Sequence, residues 1–403
     1  MNARAPKSRF TGNFTQQKPI PDAGIKAALA VMQSGRLHRY NVTKGELGET
    51  ALLEREFASA MGAKYCLAVA SGGAALSISL RAIGVKPGQT VLTNAFTLAP
   101  VPGAIANVGA VPAFVDVTDN LVIDLDHLDQ MIAQTDARTL LLSHMRGHIC
   151  QMERLMDLCN RAKIQVIEDC AHTMGARWNE TLSGRFGQVG CYSTQTYKHM
   201  NSGEGGLIIS DDATAMARAT MLSGSYMLYE RHGAGPEAAS FKDICLETPN
   251  CSARMDNLRA ALLRPQLTEL AENCTAWTER YRVVEAGLSG TSGLKLIERP
   301  NAEAFVGSSI QFLLPEFSPT QITTLIDAVA ARGVELKWFG AASPQGFTSR
   351  YSSWTYAPKQ SLPQTDRVLD GLMDMRLPLT FSLADCALIA AIIRDEVQGV
   401  ATI

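Results

Sequence analysis

A carboxylate and a lysine stand 29 residues apart in this chain, in the runs Val166-Ile-Glu-Asp169-Cys-Ala-His172 and Tyr192-Ser-Thr-Gln-Thr-Tyr-Lys198, the second leading into Gly203-Glu-Gly-Gly206. An acid closing an apolar strand and a lone lysine entering a glycine-rich turn are the two groups that pyridoxal phosphate (PLP) chemistry requires. The lysine amine forms a Schiff base with the aldehyde, and the carboxylate keeps the pyridine nitrogen protonated so that the ring withdraws electrons. The spacing points to a PLP enzyme.

A third element precedes them. Ser71-Gly72-Gly73 lies between an apolar strand and a helix, where glycines let backbone amides of the first helical turn approach a phosphate. Each element has a plainer reading by itself: a tight turn for the glycines, a helix N-cap for Asp169 and a surface charge for Lys198. Their order along the chain, with Ser193 five residues before the lysine as a further phosphate donor, favours the chemical reading.

These groups need a scaffold. Apolar segments at Cys66–Ala70, Thr90–Thr93, Val111–Val115, Thr139–Ser143 and Gln165–Glu168 alternate with helical periodicity at Gly73–Ala82, Pro100–Val108, Leu125–Gln134 and Met152–Ala162. Apolar strands alternating with helices predict an α/β fold, a mostly parallel central sheet covered by helices on both faces. A further strand is expected at Leu207–Ser210, a helix from Ala213, and one long helix from Met255 to Leu270 despite Pro265. The expected organisation is an N-terminal arm over 1–22, a large cofactor-binding domain over 23–265 and a smaller C-terminal α+β domain over 266–403.

Composition narrows the partners. The 403 residues are 46% hydrophobic and 19% charged with a formal net charge of −2, which gives no electrostatic case for nucleic acid or an anionic membrane. Nine cysteines without paired CxxC spacing argue against a disulfide framework and a zinc site. With no apolar run approaching the ~18 residues of a membrane span, a cytoplasmic enzyme acting on small molecules is expected.

With these residues in hand, the chain resembles the DegT/StrS family of PLP-dependent sugar aminotransferases from about Pro19 to its end. The likeness rests on Ser71-Gly72-Gly73, Pro87-Gly-Gln-Thr-Val91, Val166 to Asp169, Lys198 with Gly203 to Gly206, Arg254-Met255 with Ala260-Ala261, and Arg376-Leu-Pro-Leu379. The resemblance implies a fold-type I aminotransferase and a homodimer with active sites at the subunit interface. It makes Lys198 the Schiff-base and proton-shuttling residue and Asp169 the partner of the ring nitrogen. Gly72, Gly73, Ser193 and Gln195 fall in the cofactor-binding set, with His172 near the 3-hydroxyl; alone, such a histidine reads as a satisfied core residue.

Three departures stand out. Gly73 replaces a common threonine, so a hydroxyl ligand is missing. Leu98 takes the place of the ring-stacking aromatic, with Phe96 two residues away. Ser252 takes the place of an asparagine that the neighbouring subunit offers to the phosphate, with Asn250 close by.

The reaction implied is amino transfer from glutamate or glutamine to a keto group of a sugar, usually nucleotide-linked, or of a cyclitol or related small ketone. Arg146, where relatives carry a small or aromatic residue, is expected to contact a carboxylate or phosphate of donor or acceptor; a surface salt bridge is the alternative. Lys337 to Gly340, Phe347 to Arg350 and Trp354 to Tyr356 read as a lid or as small-domain core. Two rival functions are a non-catalytic PLP-binding regulator and a PLP enzyme of the same fold with another reaction, such as a dehydratase. Retention of Lys198, Asp169 and Ser193 weighs against both.

Overall fold

Six expected strand segments and one that was not expected, β6, assemble into one sheet of seven: β1 (Tyr65–Val69), β2 (Thr90–Asn94), β3 (Val111–Val115), β4 (Thr139–Ser143), β5 (Gln165–Asp169), β6 (Val189–Ser193) and β7 (Gly206–Ser210). Their order is β1-β7-β6-β5-β4-β2-β3 in the computed structural model, which describes residues 8–43 and 45–401. Strand β7 pairs antiparallel with β1 and β6, while β6, β5, β4, β2 and β3 are parallel neighbours. Parallel neighbours need long crossovers; helices supply them except between β5 and β6, where the chain forms a two-stranded ladder of Arg177–Trp178 with Thr181–Leu182. The strands are apolar throughout because each face is covered: Leu140, Leu141 and Ile167 are fully buried in cores on opposite sides of the sheet.

Two elements escape the sequence pattern. In β6, Gly190 and Ser193 interrupt the apolar run; a Cβ at Gly190 would lie 2.6 Å from the carbonyl oxygen of Gly184, so close packing dictates the glycine. Helix Glu49–Met61 buries Leu53, Phe57 and Met61 together with the charged Glu54. The single long helix expected from Met255 to Leu270 is instead two. Asp256 caps Asn257–Thr268 by accepting from the Arg259 amide, Pro265 sits inside that helix, and a second helix runs from Leu270 to Leu288. The cap explains the later start, because its extended backbone (φ −89°, ψ 164°) lies outside the helical region.

A second, antiparallel sheet follows, made of β8 (Lys295–Leu296), β9 (Ser309–Leu313), β10 (Lys337–Trp338) and β11 (Leu372–Arg376) in the order β8-β9-β11-β10. Helices Leu270–Leu288, Pro319–Ala331 and Leu383–Val400 share its core. Residues 8–21 carry no helix or strand, yet they are pinned to this core: Phe10 and Phe14 are buried, and each ring lies 4.9 Å from that of Phe381 in an edge-on contact. The first seven residues of the expected arm lie outside the described residues. Among the described residues no helix is long and apolar enough to cross a membrane.

Candidate active site

A cavity of about 480 Å³ opens at the carboxyl ends of the parallel strands, the edge where open α/β sheets place their ligands. Strand β1 delivers Ser71 to the start of helix Gly72–Ala82; β5 delivers Asp169; β6 delivers Ser193 and the turn to Lys198. Gly72, Gly73, Leu98, Asp169, His172, Ser193, Gln195 and Lys198 all line this one cavity. A larger apolar groove of about 910 Å³ beside helix Leu270–Leu288 gathers none of them.

The phosphate turn is built by capping. Ser71 Oγ accepts from the Ala74 amide at 3.0 Å, leaving the amides of Gly72 and Gly73 in a first turn with no helical carbonyl to reach. Gly72 faces Ser193 so closely that a Cβ would sit 2.9 Å from the serine's Cβ, whereas at Gly73 the nearest atom would be Ser71 Oγ at 3.9 Å. One glycine is required by contact and the other is not.

Asp169 is buried at the end of β5. Burial pushes its pKa up, opposed by the charge of Lys198, the Ala171 amide and the Ser143 hydroxyl. Oδ1 accepts from the Ala171 amide at 3.2 Å and Oδ2 from Ser143 Oγ at 3.1 Å. No helix begins at Ala171, so the N-cap alternative does not account for this acid.

Lys198 Nζ lies 3.0 Å from His172 Nε2. Burial, with the charge of Arg146 and against that of Asp169, brings the lysine down to about 7. Burial and the charges of Lys198 and Arg146 hold His172 well below its ordinary value, so the imidazole is neutral. An ammonium has only donors, and Nε2 is then the acceptor.

Two expected residues sit elsewhere. Ser252 is exposed, with φ 49° and its amide donating to Asn250 Oδ1 at 2.9 Å; it lines no part of the cavity within one chain. Arg146 is buried rather than at a mouth, with Nη2 2.8 Å from Asp374 Oδ2 on β11. Asp374 Oδ1 accepts from Gln311 Nε2 at 2.8 Å, and Gln311 Oε1 contacts His148 Nε2 at 2.9 Å. The pair bridges the two sheets, and it is neither a surface salt bridge nor an open guanidinium.

The aromatics divide. Phe96 turns away into the core, its ring 5.1 Å from that of Phe339, so Leu98 alone of the two meets the cavity. Tyr351 and Trp354 pack on Phe114, while Phe347, 53% exposed, lines the cavity wall. Sequence reasoning missed Ser143 and Met145 at the wall, whereas Ser349 falls in the segment read as a lid or small-domain core; for Ser143 the readable signal was a hydroxyl at the carboxyl end of a buried strand. Arg376, read only as part of a motif, lies over the Tyr197 ring at 3.7 Å with a buried Nη1 that has no hydrogen-bond partner.

Residues 22–394 match the profile of the DegT/DnrJ/EryC1/StrS aminotransferase family. The chain belongs to this family. A protein of Streptoalloteichus tenebrarius provisionally named L-glutamine:3-amino-2,3-dideoxy-scyllo-inosose aminotransferase is 30% identical over 339 residues, 81% of this chain and 78% of that one. Another curated relative, from Micromonospora echinospora, is 37% identical but over only 40% of its own length. Among solved structures, 3-amino-5-hydroxybenzoic acid synthase superposes with a TM-score of 0.81 at 24% identity, covering 98% of this chain and 100% of that one. A protein of Streptococcus pneumoniae provisionally named a sugar aminotransferase, solved in its PLP form, gives 0.80 at 17% identity, covering 97% and 100%. The fold is that of fold-type I aminotransferases, and this DegT-family aminotransferase uses PLP. Its cavity fits that group: a glycine cradle opposite Ser193, a buried carboxylate lacking a cationic hydrogen-bond partner, and a lysine amine shifted toward neutrality.

Proposed function

We propose that the protein moves an amino group from L-glutamine or L-glutamate to a keto group on a sugar, nucleotide-linked or free, or on a cyclitol. The cyclitol-directed name of the Streptoalloteichus relative supports the cyclitol branch. The observation that carries the reading is the convergence on one cavity of Lys198, with a pKa near 7, and the buried Asp169.

PLP, when bound, supplies the aldehyde that takes up the amino group and the ring that withdraws electrons. The chain's residues do the rest. Amides of Gly72 and Gly73 with Ser193 Oγ would hold the phosphate, with Gln195 beside them and Leu98 at the cavity wall. Asp169 would bind the ring nitrogen. Lys198 Nζ, brought down to about 7, would be the amine that holds the aldehyde and the base that moves a proton from the donor's α-carbon. Nε2 of His172 accepts from that amine and fixes its direction. Arg146, paired with Asp374 and outside the cavity lining, acts on Lys198 through its charge rather than as a direct anion contact.

A second copy of the chain completes this site. The face of helix Asp22–Ser34 flanking its buried Gly24, Ala28 and Val31 presents Ile25, Leu29 and Met32, each about half exposed, an apolar stripe that a partner would cover. Ser252, exposed and outside its own chain's cavity, is then the residue each subunit offers to the other.

Initial rates measured at several fixed acceptor concentrations test the scheme, with L-glutamine as donor and a cyclitol ketone or a nucleotide-linked keto sugar as acceptor. Parallel double-reciprocal lines are expected; intersecting lines contradict a cycle in which the donor's product leaves before the acceptor binds.

A further inference from the structure

Asp169 is not held by its own strand alone. Ser143 is its register partner on the neighbouring parallel strand β4, and Ser143 Oγ donates to Asp169 Oδ2 at 3.1 Å. Thr97 Oγ1 in turn donates to Ser143 Oγ at 2.8 Å. Each hydroxyl has one proton, and both point toward the carboxylate. All three side chains are at least nine-tenths buried. The serine is fixed by a double clamp on its backbone: Asn94 Oδ1 accepts from the Ser143 amide at 2.9 Å, and Asn94 Nδ2 donates to the Ser143 carbonyl at 3.1 Å and to that of Phe96 at 2.8 Å.

Resting on the reading that Asp169 binds the PLP ring nitrogen, we infer that Thr97 and Ser143 are positioning residues that keep Asp169 ionised and aimed at that nitrogen. Burial alone favours the neutral acid, which cannot stabilise a protonated pyridine. A donated hydroxyl proton favours the charged carboxylate, and a second hydroxyl behind the first polarises it in the same sense. The relay has a geometric consequence too. Thr97 immediately precedes Leu98, so one hydrogen-bonded chain ties the residue at the cavity wall that packs on the ring to the acid that binds its nitrogen. The ring's height and the position of its nitrogen contact are set together.

The inference is tested by measuring dissociation constants of the apoprotein for PLP and for its carba analogue, in which a C–H replaces the ring nitrogen. Wild type should bind PLP more tightly than the analogue. S143A should lose on the order of tenfold in affinity for PLP, the scale of a hydrogen bond to a charged group, while its affinity for the analogue stays within about twofold. T97V should lose less, and S143A/T97V should match S143A alone, because Thr97 acts only through Ser143. Equal losses for both ligands in S143A, additive losses in the double variant, or no loss at all would each overturn the relay while leaving the Asp169 contact standing. A wild type that does not distinguish the two ligands removes the Asp169 contact itself, and the relay with it.

Discussion

The amine of Lys198 and the Nε2 of His172 lie 3.0 Å apart at the floor of the cavity, and both groups are pushed toward their neutral forms by burial and by the charge of Arg146. A neutral amine held by a neutral imidazole is a ready nucleophile, and Arg146 supplies part of this tuning from the far side of a buried ion pair with Asp374. The site therefore depends on a contact between the two sheets.

That arrangement sets a pH dependence. The rate at which the apoprotein captures PLP should rise with a midpoint near 7, the value at which Lys198 loses its proton. Arg146→Met combined with Asp374→Asn, which removes the pair without stranding either charge, should move the midpoint upward, as followed by stopped-flow absorbance. An unmoved midpoint would separate Arg146 from the lysine.

The same shift appears in stability. The pKa of Lys198 is about 7 folded against an ordinary 10.5, so between those values the unfolded chain binds the extra proton and the lysine's contribution to stability rises with pH. Below pH 7 the folded state carries the full penalty of a charged amine in the cavity. Lys198→Met should stabilise the apoprotein most at or below pH 7, with the gain fading toward pH 10.5. Thermal melts across that range read the effect, and Lys198→Met should retain the fold while losing all turnover.

The two glycines of the phosphate turn should behave differently. Gly72→Ala brings a methyl 2.9 Å from Ser193 Cβ and should cost about 1–3 kcal/mol, with weaker PLP binding. Gly73→Ala meets nothing nearer than 3.9 Å and should be neutral or stabilise helix Gly72–Ala82 by up to ~1 kcal/mol. Gly73→Thr should fit and, by restoring a hydroxyl, tighten PLP. Fluorescence titration of PLP into each apoprotein distinguishes them.

Glu54 anchors the scaffold from behind. Its carboxylate takes both Arg39 Nη groups at 2.7 and 2.8 Å, contacts His232 Nε2 at 3.2 Å and accepts from the Ala68 amide of β1 at 2.8 Å. Burial works against its charge, but Arg39 and His232 outweigh burial and lower it to about 2. A depressed acid stabilises the fold above its unfolded value near 4.5 and loses that contribution as pH falls toward 2. Glu54→Gln, which leaves Arg39 buried without its counter-charge, should cost about 3–5 kcal/mol at pH 7 and much less at pH 2.5, by urea unfolding.

Helix Asp22–Ser34 tests assembly. Ile25→Glu with Met32→Glu places charges on the exposed apolar stripe and should shift sedimentation from dimer to monomer, with weaker retention of PLP. Unchanged sedimentation would move the interface elsewhere.

Much of this was legible because the chemistry restricts residue types. Asp169, Lys198 and the glycines of the phosphate turn are readable from type and order, and they meet in one cavity. The parallel sheet was readable because strands covered on both faces are apolar along their length. What hid depends on register and on tertiary contact. Ser143 matters because β4 and β5 align it with Asp169, which no local pattern encodes. Arg146 reads as a substrate contact until Asp374, 228 positions away in the chain, is seen beside it. Strand β6 was obscured by Gly190, a residue that packing against Gly184 requires and that strand propensity disfavours.

In the proposed function, glutamine or glutamate gives up its amino group in the cavity that holds Lys198. The most direct measurement is the absorbance spectrum of the PLP-loaded protein before and after L-glutamine or L-glutamate is added in separate cuvettes. Loss of the PLP band near ~410–430 nm and a rise near ~330 nm are expected with one donor or both. A PLP band that neither donor changes would contradict the proposed function.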